Sequence, residues 1–195
     1  MKKAISLFVA IILLFHLVES VLAIESVPVN IVPVPEPGFQ YKAGDVLITK
    51  STSANGFTGH VGIITSRGNV VHMPGKGIAG SKREIISIGE WFSRYPSTQI
   101  YRYYDSDKAA KAGAYAYDVF GIGRLKDITY RITPNLYDQT YSYCSELVWQ
   151  SYYYGAGVIG KPCSAGFTWQ PATSIITPYD FTCMHGFNLM GSINW

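Results

Sequence analysis

The sequence predicts an α+β fold in which antiparallel strands come first and helices follow. Three observations predict it. Short runs rich in valine and isoleucine, bounded by turn residues, recur between residues 46 and 103. Two longer segments with helical character come after them, near 107–120 and 144–154. The chain has 195 residues, 48% hydrophobic and 15% charged, which is one domain's worth of material with a real core.

The elements can be taken in order. Met1-Lys2-Lys3 is a short positive stretch, and Ala4 to Leu17 is almost unbroken apolar sequence. Val21-Leu22-Ala23 then offers the residues a signal peptidase reads. Residues 1–23 are therefore expected to be a secretory signal peptide cut after Ala23, which makes the protein exported, periplasmic or secreted. An uncleaved anchor is the alternative, although the apolar run is short for a bilayer. Residues 24–40 carry Pro28, Pro33, Pro35 and Pro37 and read as an extended lead-in, because proline at that density blocks helix and central strand alike. The domain proper is expected over 41–195.

Gly44-Asp45 reads as a turn before a strand at 46–49. A polar loop containing Asn55-Gly56 leads to a second strand at 60–65. A turn at Arg67-Gly68-Asn69 gives a third at 70–73, which Pro74-Gly75-Lys76-Gly77 breaks. Further strands are expected at 84–88 and 99–103. Ser106 can cap a helix over 107–120, with Ala109, Ala112, Ala116 and Phe120 facing inward. A long loop runs on to Tyr143, and such loops in compact domains are usually functional. A helix from Cys144 to Tyr154, stopped by Gly155, comes next. Thr177-Pro178-Tyr179-Asp180 has the look of a short capped helical turn.

The formal net charge is +3. Removing 1–23 lowers Lys plus Arg from 16 to 14 and Asp plus Glu from 13 to 12, which leaves +2. That is too mild to argue for nucleic acid, and no basic cluster stands out. Membrane contact is expected only through the signal peptide, and the oligomeric state is not legible. Three cysteines in an oxidising compartment suggest one pair and one free thiol. Cys163 and Cys183, both in the loop-rich C-terminal part, are expected to pair and leave Cys144 free, although spacing alone does not fix this.

Cys144 opens a helix, where the positive end of the helix dipole and the free N–H groups favour thiolate over thiol. Taken alone, it could as well be a small packing residue. His60 begins one strand and His72 lies near the end of the next, across a turn centred near Gly68. The two should sit within a residue or two of register, so their rings can touch. A thiol, a base and a group that orients the base are the parts of a cysteine hydrolase, and Cys144, His60 and His72 supply one of each. A zinc site is the competing chemistry, but no close ligand pair such as His-x-x-x-His supports it. No metal and no other cofactor is expected.

Gly44-Asp45-Val46-Leu47-Ile48-Thr49, Gly59-His60-Val61-Gly62-Ile63-Ile64, Val70-Val71-His72 and Tyr143-Cys144-Ser145-Glu146-Leu147-Val148-Trp149 together resemble the NlpC-type papain-like superfamily. The histidine strand precedes the cysteine helix, which is the order of the circularly permuted, YiiX-like and YycO-like branch. Ile176-Thr177-Pro178-Tyr179-Asp180 resembles a C-terminal feature of that branch, and the similarity spans about 41–181. The resemblance implies a permuted papain-like fold, an antiparallel sheet or partial barrel packed on helices. It implies Cys144 as nucleophile, His60 as base and His72 as the third polar group. YiiX-like members often have glutamate at that third position, and a histidine offers no fixed negative charge.

The implied activity is that of a cysteine peptidase or amidase working through a thioester. Glu146 is expected to serve the helix dipole, and His185 to be structural. Amide bonds of cell-wall peptides are the first expected substrate. Acyl lipids, through amidase, thioesterase or acyltransferase chemistry, are the second. A catalytically silent module that binds peptidoglycan or a partner is the third reading.

Overall fold

The computed structural model describes residues 38–52, 58–75, 81–163 and 169–195. The expected signal peptide, most of the lead-in, and the turn residues Asn55-Gly56 and Lys76-Gly77 lie outside these. The described chain is mixed α+β, as the sequence predicts.

Four strands come first, β1 (Val46–Thr49), β2 (His60–Ile64), β3 (Asn69–His72) and β4 (Glu84–Ser87). A short helix α1 (Ile88–Arg94) follows, then β5 (Thr98–Tyr103) and helix α2 (Ser106–Tyr115), which widens into a π-helical turn over Ala116–Gly121. Two-residue strands β6 (Thr129–Tyr130) and β7 (Tyr141–Ser142) pair in parallel within the long loop. Helix α3 (Cys144–Ala156), two 3-10 turns (Pro171–Thr173 and Pro178–Thr182) and strand β8 (Phe187–Ile193) complete the order. Six strands form one antiparallel sheet in the order β4-β3-β2-β1-β5-β8, with edges at β4 and β8.

All five strands expected from the sequence occur, each within a residue of its expected ends. Their valines and isoleucines alternate between two apolar layers, as strand geometry requires. Val46, Ile48, Val61, Ile63, Val71 and Met73 face the larger layer, with Ala109, Ala112 and Ala116 from α2 and its extension and Leu147 and Val148 from α3. Leu47, Ile64 and Val70 face the smaller layer, with Trp91 and Phe92 of α1. Phe39 and Tyr41, where the lead-in ends, pack against this second layer.

Several expectations need correction. The cap of α2 is Asp105, whose carboxylate accepts the N–H groups of Asp107 and Lys108. Ser106 is already inside the helix. Helix α3 runs through Gly155 and stops at Gly157, which takes the left-handed conformation at φ 65°. Gly155 has a different task. A Cβ there would lie 2.5 Å from Tyr115 Cβ, so its bare backbone lets α2 and α3 approach closely. Helix α1 and strand β8 are additions. The signal for α1 was present, because Ser87 accepts the N–H of Glu90 at 3.0 Å as an N-cap.

Helix α3 is buried from Cys144 through Tyr152. Several of its buried polar groups reach main-chain carbonyls, as burial favours. Trp149 donates to the Gly160 carbonyl at 2.8 Å, and the Gln150 amide donates to the Leu136 and Asp138 carbonyls at 2.9 and 2.7 Å. The turn at Gly44, φ 88°, lies against Ala109 of α2 and leads into Asp45, which Arg102 of β5 binds at 2.6 and 2.7 Å.

Candidate active site

Two imidazoles meet at the end of the β2–β3 ladder. The ladder pairs Gly62 with His72, so His60 lies one diagonal step away on the same face. His60 Nε2 and His72 Nδ1 are 2.8 Å apart, a hydrogen bond. Both rings are buried, His60 stacking on Trp91 and His72 meeting that ring edge-on, with Tyr95 beside them. Gly62 makes this packing possible. A Cβ there would come within 2.8 Å of the Trp91 ring and 3.2 Å of His72 Cβ.

Burial holds the His60 imidazole well below its ordinary pKa, and the neighbouring His72 lowers it further. His60 is thus a neutral base at rest, with one ring nitrogen committed to His72 and Nδ1 left over.

Cys144 comes from the other layer, at the first turn of α3. The main-chain N–H of Val61, the residue next to His60, favours its thiolate form, at a point where pairing with β3 has already stopped. The main-chain N–H groups of Ser145 and of Cys144 itself also favour the thiolate form. Burial nevertheless outweighs these donors and pushes the thiol pKa up. The thiolate preference expected from the helix terminus is therefore overturned, because Cys144 is only 8% exposed and desolvation is the larger effect.

Both neighbours of Cys144 are tied to one residue. The Tyr143 hydroxyl accepts the Ile176 N–H at 3.0 Å, and the Ser145 hydroxyl donates to the Ile176 carbonyl at 2.8 Å. The segment after Ile176 is pinned by Thr177 and Asp180, which form a reciprocal capping box. A disulfide joins Cys163 to Cys183, with Cα atoms 5.9 Å apart, and Cys144 is free, as expected.

Glu146 does not serve the helix dipole as a charge. Its carboxyl is fully buried, and neither oxygen has a hydrogen-bond partner of good geometry. Burial raises its pKa to about 9, with Asp138 adding to the effect and the nearby Tyr143 N–H and Ser142 hydroxyl opposing it only in part. The group is neutral at pH 7. His185 stays apart from the pair and meets the exposed ring of Tyr104.

Sequence reasoning missed Trp91, Tyr95 and Glu84. Glu84 of β4 is the register partner of His72, and its carboxylate lies 3.8 Å from His72 Nε2. The only signal for it was the expected strand at 84–88, and that strand carried no register.

Two imidazole nitrogens on one tetrahedral zinc, with bonds of about 2.0–2.1 Å, would sit about 3.4 Å apart. The 2.8 Å separation instead suits one shared proton. Among the described residues no three His, Cys, Asp or Glu side chains gather to hold a metal ion.

The fold is similar to that of metalloprotein YiiX from Escherichia coli O157:H7, whose crystal structure aligns with a TM-score of 0.54 at 14% identity, over 79% of this chain and 98% of that one. A Bacillus thuringiensis protein described as an uncharacterized 30.3 kDa protein is 33% identical over 152 residues, 73% of this chain. This chain spans about half of that relative's length, 52%. The model of the family described as lipoprotein N-acylation protein, LnsA-like, matches residues 2–182. The chain belongs to this LnsA-like family.

Proposed function

We propose that this protein is a cysteine-dependent acyl-transfer enzyme that carries an acyl group as a thioester on Cys144 and acts in lipoprotein N-acylation. The observation that carries the reading is a free, buried thiol at a helix start, in a chain whose two strand histidines form a hydrogen-bonded pair. The family description supplies the substrate class. The resemblance also implied cell-wall peptides, and the family description speaks instead for an acyl donor. An exported location suits either substrate.

His60 Nδ1 takes the Cys144 proton as the sulfur attacks the acyl carbonyl. The oxyanion forms near the Cys144 N–H at the start of α3. His60 returns the proton to the departing alcohol or amine, and the thioester remains. An incoming amine, or water, attacks the thioester carbonyl and loses its proton to His60. The Cys144 sulfur leaves and is reprotonated, which closes the cycle. His72 holds His60 in the tautomer that leaves Nδ1 open.

The test incubates wild-type protein and Cys144→Ala with phospholipid or diacylated lipopeptide vesicles and reads intact mass. An acyl-sized, hydroxylamine-labile adduct on the wild type alone supports the reading. Undiminished acyl transfer by Cys144→Ala sinks it. Release of peptide fragments from purified muropeptides, without acyl adducts, would return the function to cell-wall cleavage.

A further inference from the structure

We propose that Glu84 is a positioning residue, supplying through His72 the fixed negative charge that a cysteine–histidine–histidine arrangement otherwise lacks. This deepens the reading of Cys144 and His60 as the reacting pair and rests on it.

The argument follows the protons. For His60 to accept at Nδ1, its ring proton must sit on Nε2. That proton then points at His72 Nδ1, 2.8 Å away, which must be an acceptor. A neutral imidazole that accepts at Nδ1 carries its own proton on Nε2. His72 Nε2 faces the Glu84 carboxylate at 3.8 Å, too long for a hydrogen bond but close for an ion pair. A carboxylate on that side favours the tautomer with hydrogen on Nε2. It also favours positive charge on the imidazole pair when His60 takes the thiol proton. The β3–β4 register places Glu84 directly opposite His72, so the geometry is built into the sheet.

Helix α1 holds Glu84 in place. Arg94 Nη1 donates to Glu84 Oε2 at 2.5 Å, and Arg94 also binds Glu90. Among the described residues Tyr95 is a further titratable neighbour, its pKa raised by burial first, with Arg94, Glu84 and Cys144 acting after it. The negative end of the array is thus 26% exposed, while His72 itself is wholly buried.

The test uses the full chain carrying Cys144→Ser, so that it reads the histidine pair and not turnover. Imidazole nitrogen NMR reports which ring nitrogens hold protons and how the pair titrates as a unit. Glu84→Gln keeps the shape and can still accept from Arg94. It is expected to populate both His72 tautomers and to lower the pair's apparent pKa by about one unit. Glu84→Asp, which keeps the charge, is expected to restore most of the shift. An unchanged tautomer and titration in Glu84→Gln overturns the proposal, and so does an equal effect of Glu84→Asp. A failure of Cys144 as nucleophile would show in the acyl-adduct experiment and leave this NMR result intact, so the two ideas fail separately.

Discussion

Glu146→Gln is expected to change the pH dependence of stability more than any other single substitution near Cys144. The Glu146 carboxyl titrates at about 9 in the folded protein against an ordinary value of 4.5. Folded protein therefore keeps a proton that unfolded chain releases. A raised pKa contributes stability that is complete below 4.5 and is lost as pH rises toward 9. The slope is about 1.4 kcal/mol per pH unit inside that window. At pH 7 the wild type has given up about 3 kcal/mol of the stability it holds in acid. Glutamine has the same shape and no titration, so it removes the slope. Its amide hydrogens need acceptors in a buried site, which adds a constant cost of about 1–3 kcal/mol. The slope is therefore the test, not the offset. Urea unfolding of both proteins, disulfide intact, at pH 5.5 and 7.5 reads it. The variant should gain about 3 kcal/mol relative to wild type between those two values. An equal difference at both would refute a neutral buried Glu146.

The other predictions concern packing, covalent closure and the thiol. Gly62→Ala puts a methyl group within 2.7 Å of Val70 and 2.8 Å of Trp91, so it should cost about 1–3 kcal/mol in thermal unfolding and displace His72 from His60. Replacing Cys163 and Cys183 together by serine opens a loop of sequence separation 20 and should cost about 3 kcal/mol in denaturant unfolding. Without substrate, iodoacetamide should alkylate Cys144 more slowly than a free cysteine at neutral pH, with a rate that climbs on the alkaline side, because burial raises the thiol pKa. Mass spectrometry of the modified residue over a pH series checks this, and fast labelling at neutral pH contradicts it.

Much of the fold was legible because its strands advertise themselves locally. Val46-Leu47-Ile48 and His60-Val61-Gly62-Ile63-Ile64 are β-branched runs with turn residues at their ends, and turn and pattern together fixed the pairing of β2 with β3 to within a residue or two. What stayed hidden depends on contacts between distant residues. Gly155 looked like a helix stop because glycine often is one, yet Tyr115 packs against it from another helix. Strand β8 carries exposed Leu189 and Met190 around Gly191, so its pattern does not alternate cleanly, and only its pairing with β5 makes it a strand. Cys144 was legible by type and by helix position. Its pKa direction was not, because desolvation by surrounding side chains cannot be read from neighbours in the chain.

The two shifts at the site point to one resting state. Burial lowers the His60 pKa and raises that of Cys144, and both effects oppose a thiolate–imidazolium pair. A neutral thiol is slow to be oxidised or alkylated at rest. The cost of separating charge is then met during attack, when the sulfur's negative charge passes to the substrate oxygen. The surrounding charges are arranged for that moment. Main-chain N–H groups of Val61, Ser145 and Cys144 favour negative charge on the sulfur, and the carboxylate of Glu84 lies beyond His72. A negative Glu146, two residues from the nucleophile, would work against the thiolate. Its protonation at pH 7 removes that repulsion, which links the carboxyl's stability cost to the chemistry proposed for its neighbour.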